Sequence, residues 1–275
     1  MDKYVEAKAK MRRWNPWLIV LIVLLAAAGS FFFYARSYYR ADDRAVEYLV
    51  GSDKVKVSMI PEGLFLDGPG EGRALIFYPG GKVEYTAYLP LLCALAEGED
   101  GIDCYLAEMP LNLAVFGKNK AEDIRDAYTC PEWYIGGHSL GGVVASMYAA
   151  DHEDLKGVIL LAAYPAETIK ERTIEIYGSE DRVLNKGRRD NSDRYLPGDA
   201  VVEIIKGGNH AQFGDYGEQK GDGKALISRE EQQEETVRLI RNWLDTVKNE
   251  NTASKNTFIA ERWNGREEEA TENEE

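Results

Sequence analysis

The residues best suited to chemistry lie in one glycine-rich stretch near the middle of the chain. Residues 137–141 read Gly-His-Ser-Leu-Gly, which places one glycine two positions before Ser139 and another two positions after it. A strand-like run precedes this stretch and a helix-like run follows it. A serine on such a sharp turn projects its hydroxyl above the sheet edge, and the glycines let the backbones pass closely. We therefore predict that Ser139 is a nucleophile rather than part of a phosphate-binding turn, whose lysine and glycine spacing are missing.

A serine hydroxyl needs a base that removes its proton, and histidine suits this role near neutral pH. The chain contains three histidines. His138 adjoins the serine and is expected to point away on the turn, whereas His152 ends the following helix, too far from the strand ends. His210 directly follows the last predicted strand, at the edge where such sheets place their sites. We predict that His210 is the base.

The imidazole in turn needs an acceptor that fixes its tautomer and stabilises the imidazolium. Asp181 lies just past the strand predicted at residues 173–177 and is the favoured acceptor, with Glu180 as the alternative. The resulting order along the chain, serine then aspartate then histidine, is one of the orders in which such triads occur.

Two backbone amides must stabilise the oxyanion that develops during acyl transfer. One expected donor is the N–H of Leu140, the residue after the nucleophile. The other is expected from the glycine-containing loop after residues 74–78, where we favour the N–H of Gly81 and treat Lys82 as a weaker candidate.

Alternating strand and helix patterns must position these residues. Strands are predicted at residues 55–59, 63–66, 74–78, 102–107, 132–135, 157–163, 173–177 and 201–205, and helices at residues 85–97, 121–128 and 143–150 and from Ser228 onward. The first two strands resemble a hairpin. Repeated alternation afterwards predicts an α/β fold, a doubly wound and mostly parallel sheet with right-handed crossovers.

The two ends of the chain differ from its middle. Residues 17–35 carry no charge and are long enough to span the hydrocarbon core as one transmembrane helix. Basic residues dominate residues 1–16, which predicts a cytoplasmic amino terminus and an extracytoplasmic catalytic domain. A cleaved signal peptide is the alternative, although the apolar run is long for one. We expect a connector at residues 36–53, the catalytic domain at residues 54–249 and a disordered acidic tail at residues 250–275.

Composition excludes several classes of function. The chain has 275 residues and a net charge of −14, and no basic stripe indicates nucleic-acid binding. Three histidines and three cysteines are too few and too scattered for a zinc site, so we expect no metal. Cys93 and Cys104 either pair, as the extracytoplasmic side permits, or remain buried thiols. Cys130 is left over in both cases.

Four short motifs together resemble the α/β-hydrolase superfamily, in its small single-domain, dienelactone-hydrolase-like branch. They are residues 137–142 (Gly-His-Ser-Leu-Gly-Gly), 178–181 (Gly-Ser-Glu-Asp), 208–210 (Gly-Asn-His) and 78–81 (Tyr-Pro-Gly-Gly). The resemblance covers roughly residues 55–248. It implies hydrolysis of an ester, thioester or amide through an acyl-serine intermediate, without a cofactor. Many members carry histidine where this chain has Pro79.

The resemblance also concerns the entrance to the site. Only eight residues, 164–171, separate two predicted strands where lipid-binding members often insert a helical lid. We therefore expect no large lid and an open cleft bordered by the loop of residues 207–223. Phe213 and Tyr216 in this loop either contact the substrate or pack beneath the loop.

The leading hypothesis is a membrane-anchored serine hydrolase that acts outside the cytoplasm on a small or lipid-like carboxylic ester. An acyltransferase with the same triad is the first alternative, because only the acceptor of the acyl group differs. A non-catalytic binding module is the second, which the intact triad disfavours. The fold and the triad fix the type of reaction and leave the substrate undefined.

Overall fold

The structure is a computed structural model that describes residues 15–98 and 101–246. The predicted acidic tail and nearly all of the predicted basic segment lie outside these residues. The chain divides into two compact units, with the boundary between Tyr38 and Tyr39. Each unit is described by itself.

Within its described residues, 15–38, the first unit contains a single apolar helix, α1 (Pro16–Arg36). Asn15 caps it, because its side-chain oxygen accepts the N–H of Trp17 at 3.0 Å, and Pro16 occupies the first helical position. Residues 16–34 have a mean hydropathy of 2.4 and none of this span is buried. At about 1.5 Å per residue the span measures about 28 Å, close to the thickness of a bilayer core. Its length and composition suffice to cross a membrane, and a signal sequence meets the same criteria.

The described residues of the second unit, 39–98 and 101–246, form one sheet of eight strands. They are β1 (Lys56–Ile60), β2 (Gly63–Asp67), β3 (Arg73–Tyr78), β4 (Asp103–Ala107), β5 (Glu132–His138), β6 (Gly157–Leu161), β7 (Thr173–Gly178) and β8 (Val201–Ile205). Their order in the sheet is β1-β2-β4-β3-β5-β6-β7-β8. The pairs β1–β2 and β2–β4 are antiparallel, and every later pair is parallel. The predicted doubly wound, mostly parallel sheet is confirmed.

Helices cover both faces of this sheet. They are α2 (Asp43–Glu47), α3 (Leu89–Ala96), α4 (Lys120–Ala127), α5 (Leu140–Ala150), α6 (Lys186–Ser192) and α7, which occupies residues 229–246 of the described chain. Successive residues of β3 point to opposite faces: Phe77 joins the core beneath α3 and α7, and Ile76 joins the core beneath α4 and α5. Burial on both faces explains the nearly continuous apolar runs of β3 and β6.

Local geometry differs from the sequence prediction at three places. Strand β5 continues to His138, three residues beyond the predicted end, so that it leads directly into Ser139. Strand β6 ends at Leu161 because Ala162 turns the chain with φ of 46°. The predicted helix at residues 85–97 begins as a 3₁₀ turn, Tyr85–Tyr88, before α3.

Residues 162–172, between β6 and β7, contain no helix, so no large lid follows β6.

Residues 39–50, which the sequence assigns to a connector, pack on the second unit. Tyr39 bridges to Val83 beside β3, and Ala45 in α2 is fully buried. The backbone N–H of Asp42 donates to the carbonyl of Asp215 at 2.8 Å. These contacts make the segment an integral part of that unit.

Candidate active site

The strand-to-helix turn at residues 137–141, which we call the elbow, holds Ser139 in a rarely populated backbone conformation. Its φ and ψ are 52° and −124°, which a residue with a side chain adopts only under constraint from its surroundings. A Cβ atom on Gly137 would lie 2.5 Å from the carbonyl oxygen of Tyr78, and one on Gly141 would lie 2.2 Å from the same oxygen. The two glycines are therefore required for α5 to start this close to β3.

Asp181 and His210, separated by 29 residues, meet at the carboxyl ends of β7 and β8. His210 Nδ1 lies 2.8 Å from Asp181 Oδ2, and both side chains are buried. Asp181 Oδ1 accepts the backbone N–H groups of Val183 and Leu184, each at 2.8 Å. These bonds fix the carboxylate in place. The alternative acceptor, Glu180, instead accepts the hydroxyl of Ser179 at 2.9 Å and is not paired with His210.

The second ring nitrogen of His210, Nε2, takes no part in the bond to Asp181. An ionised Asp181 requires a proton on Nδ1, so neutral His210 carries its lone pair on Nε2. Nε2 is buried and has no hydrogen-bond partner among the described residues, Ser139 included. Catalytic hydrogen bonds in structures without substrate are often longer than in the reacting complex. A buried, unpaired basic nitrogen is suited to accept a proton.

Two backbone amides adjoin the elbow. Leu140 is the first residue of α5, where N–H groups have no partner inside the helix. A Cβ atom on Gly81 would lie 2.8 Å from the side chain of Leu140, so the loop after β3 passes beside the start of α5. Lys82 is occupied elsewhere, because its N–H donates to the carbonyl of Asn112 at 2.7 Å. This bond disfavours Lys82 as the second oxyanion donor, so Gly81 remains the favoured candidate of the two.

The other two histidines occupy different surroundings. His138 does not point away from the site: its ring is buried and its centroid lies 4.6 Å from that of His210. Burial, together with the neighbouring His210, holds the pKa of His138 well below its usual value. His152 stacks on Tyr148 at the far end of α5, away from the elbow. The sequence prediction for His138 was wrong because its neighbour in the fold, His210, lies 72 residues away along the chain.

Tyr88 belongs to the site and was missed in the sequence. Its hydroxyl lies 2.8 Å from His138 Nδ1 and accepts the N–H of Gly80 at 3.0 Å. It is fully buried, and burial raises the pKa of its phenol above the usual value. The residue lies 50 positions from His138, so no local pattern links the two.

The apolar side chains near the site also differ from expectation. Phe213 and Tyr216 are buried and pack against His138, which supports packing beneath the loop rather than substrate contact. Exposed apolar side chains instead lie on two 3₁₀ turns between β4 and α4: Leu111, Val115 and Phe116 are 41%, 53% and 53% exposed. The bond from Lys82 to Asn112 places this segment beside the loop after β3.

All three cysteines are free thiols. Cys93 and Cys104 are buried, and Cys130 is partly buried. Burial raises the pKa of the Cys93 thiol to about 12. A thiol held in its protonated form is a poor nucleophile, so these residues offer no competing site.

Known structures and family models place this arrangement in context. The chain is similar to TT1662 from Thermus thermophilus, with 13% identity and a TM-score of 0.51 over 70% of this chain and 98% of that one, which shows a shared fold. A predicted CIB-like hydrolase from Thermoplasma acidophilum gives 18% identity and a TM-score of 0.48 over 68% and 98%. Comparison with curated proteins finds no match. A model described as "Alpha/beta hydrolase family" matches residues 74–234, more than half of the chain. The chain therefore belongs to the α/β-hydrolase family.

Proposed function

We propose that this chain is a serine hydrolase that cleaves carboxylic esters through an acyl-serine intermediate on Ser139. Membership in the α/β-hydrolase family supports hydrolysis in general. The observation that carries the proposal is the buried His210–Asp181 pair, bonded at 2.8 Å, whose Nε2 remains unpaired. The strained elbow that presents Ser139 supports the same assignment. The motifs at residues 178–181 and 208–210 favour the small single-domain branch of the family.

The proposed reaction has two steps. Ser139 Oγ attacks the ester carbonyl carbon while His210 Nε2 takes the hydroxyl proton, and Asp181 stabilises the imidazolium through Nδ1–H. The N–H groups of Leu140 and Gly81 donate to the oxyanion. His210 then returns the proton to the leaving alkoxide, which departs as an alcohol. Water attacks the acyl-serine by the same route, releasing a carboxylic acid and restoring Ser139.

The surroundings of the elbow support an ester with an apolar portion. Leu111, Val115 and Phe116 present exposed apolar surface on the segment beside the loop of Gly81. Water-exposed apolar groups of this kind favour contact with an alkyl or acyl chain. The passage between β6 and β7 contains no helix, so this segment places no helical lid over the site.

The proposal includes the location of the enzyme. Residues 17–35 anchor the chain in a membrane, and the basic excess of residues 1–16 directs the hydrolase domain to the extracytoplasmic side. Protease added to intact cells tests this orientation. We expect digestion of residues beyond 39 without lysis, whereas protection until lysis contradicts the orientation and leaves the chemistry untouched.

Steady-state hydrolysis of p-nitrophenyl esters of increasing chain length tests the reaction. Ser139→Ala is expected to lower kcat roughly 10⁴-fold or more. Ser146→Ala is the matched control, since Ser146 is buried on α5, the helix that follows Ser139, and bonds Val143 and Ala166 instead of a substrate. Equal activity of native protein and Ser139→Ala contradicts the proposal. If added alcohols capture the acyl group faster than water does, the enzyme is an acyltransferase on the same triad.

A further inference from the structure

A continuous set of hydrogen bonds joins the three parts of the candidate site beneath the elbow. The N–H of Gly80 donates to Tyr88 Oη at 3.0 Å, and Tyr88 Oη lies 2.8 Å from His138 Nδ1. His138 Nε2 lies 3.1 Å from the carbonyl oxygen of His210. The bonds thus run from the loop of Gly81, through the residue before Ser139, to the backbone of the histidine that faces Asp181.

The chemistry of the partners fixes the direction of each bond. A carbonyl oxygen only accepts, so His138 Nε2 must carry a proton and donate to His210. His138 Nδ1 of the neutral ring is then an acceptor, which requires Tyr88 to donate its hydroxyl proton. The same hydroxyl oxygen accepts from Gly80 through a lone pair. Every polar group in the set is satisfied by one tautomer of a neutral His138.

Burial makes this arrangement costly to disturb. Tyr88 is fully buried and His138 is 1% exposed, so neither has water as a substitute partner. Buried polar groups that lose a partner retain the full cost of desolvation. Phe213 and Tyr216 pack against the His138 ring and hold it in this orientation.

We propose that Tyr88 and His138 are positioning residues that lock the oxyanion-loop backbone at Gly80 and the backbone of His210 to the nucleophile elbow. Neither touches the reacting atoms. Tyr88 orients the peptide next to the Gly81 donor, and His138 sets the position from which the imidazole of His210 reaches Ser139. The inference rests on the serine-hydrolase function proposed above. It explains how the loop after β3, the elbow and the segment that carries His210 keep the relative positions that this function needs.

The test compares Tyr88→Phe with Tyr148→Phe. Both tyrosines are fully buried and both hydroxyls are hydrogen-bonded, Tyr148 to Glu122 at 2.7 Å and away from the elbow. Each substitution removes one oxygen and keeps the ring. We expect Tyr88→Phe to lower kcat for ester hydrolysis and the rate of fluorophosphonate labelling about 10- to 100-fold, with KM nearly unchanged. Tyr148→Phe is expected to retain both rates with a similar loss of thermal stability.

A second comparison tests the hydrogen bond from His138 Nε2 to His210 separately from the bond between His138 Nδ1 and Tyr88. In His138→Gln the amide N–H₂ retains a donor where Nε2 donates to His210, whereas His138→Leu retains neither donor nor acceptor. We expect His138→Gln to recover part of the labelling rate lost in His138→Leu. The downfield proton resonance of the His210–Asp181 hydrogen bond should broaden or shift in Tyr88→Phe and His138→Leu and persist in Tyr148→Phe.

The outcomes distinguish this inference from the function on which it rests. Native labelling with equal kcat and equal labelling rates in Tyr88→Phe and Tyr148→Phe overturns the positioning role alone. Equal labelling of His138→Gln and His138→Leu overturns it as well, including when Tyr88→Phe does not fold. No labelling of folded native protein overturns the proposed function itself.

Discussion

His138 and His210, whose rings lie 4.6 Å apart in the candidate site, have different environments. His138 has both ring nitrogens engaged, one with Tyr88 and one with the carbonyl of His210. His210 has Nδ1 engaged with Asp181 and Nε2 unpaired. A ring with two satisfied nitrogens holds structure, and a ring with one unpaired nitrogen in a buried site is able to exchange a proton. The hydrogen-bond partners, rather than the residue type, therefore distinguish the roles that we propose for the two histidines.

At Asp181 we predict a large loss of rate from a substitution of one atom. In Asp181→Asn the side-chain amide can donate to His210 Nδ1, which favours the tautomer with the ring proton on Nε2. In that tautomer Nε2 has no lone pair with which to accept the proton of Ser139. We expect kcat to fall about 10⁴-fold with little change in KM. Glu180→Gln is the neighbouring control, because Glu180 pairs with Ser179 instead. A loss in Glu180→Gln with native rates in Asp181→Asn would reverse the assignment of the acid.

The depressed pKa of His138 predicts how stability depends on pH. Above about pH 6.5 the ring is neutral in the folded and unfolded states. Below about pH 6.5, His138 binds a proton in the unfolded chain and remains neutral in the folded chain. The free energy of unfolding therefore falls as the pH falls, by up to about 1.4 kcal/mol per pH unit. His138→Gln lacks this contribution. We expect the difference in free energy of unfolding between native protein and His138→Gln to shrink from about pH 7.5 to about pH 5.5, as measured by urea denaturation. A constant difference would contradict the depressed pKa.

At the scale of elements, the site depends on how closely α5 and β3 approach. The Cβ atom of an alanine at position 141 would lie 2.2 Å from the oxygen of Tyr78 and 2.3 Å from that of Pro79. Both are backbone atoms, which cannot rotate away. The elbow therefore tolerates no side chain there.

Gly141→Ala is accordingly predicted to cost about 3 kcal/mol of unfolding free energy and to abolish labelling of Ser139. Gly198→Ala is the control, since a Cβ atom on Gly198 meets nothing within 4 Å. That substitution is expected to leave stability unchanged or to raise it slightly. Thermal unfolding of both variants checks the pair, and equal stability would contradict the steric account.

Sequence patterns predicted the elements that carry apolar periodicity and missed what depends on distant packing. The eight predicted strands are all present: β3 and β6 are marked by nearly continuous buried apolar runs, whereas the partly buried β1 shows alternation. The extension of β5 to His138 escaped prediction, since its glycines do not have strand propensity. Tyr88 escaped it for another reason: its partner lies 50 residues away and is brought close only by the crossover from β3 to β5. The pairing of Asp181 with His210 remained a choice between two acids until the fold fixed which one turns inward.

At the scale of the molecule, the buried carboxylate of Asp215 joins three distant segments of the second unit. It accepts Arg44 at 2.7 Å, Arg229 at 3.0 Å and Gln233 at 2.7 Å. Arg44 belongs to α2 and the other two belong to α7. Asp215 follows His210 by five residues, so this cluster also secures the loop that carries the proposed base.

Two shortened chains test the contribution of residues 39–53. A chain that begins at residue 39 retains Arg44 and is expected to keep the thermal stability and esterase activity of the unit. A chain that begins at residue 54 leaves Asp215 with one charged partner fewer, and we expect it to lose about 2 kcal/mol or more together with part of its activity. Equal melting temperatures of the two chains would show that the segment is only a connector.

The most direct measurement is mass spectrometry of the peptide that contains Ser139 after treatment with a fluorophosphonate probe. Such a probe reacts with a serine that has an activated hydroxyl and an oxyanion site. We expect one covalent adduct on Ser139, absent in Ser139→Ala and formed much more slowly in Asp181→Asn and His210→Ala. An adduct on another serine, or a folded native protein that acquires none, would contradict the claim that Ser139 is the nucleophile.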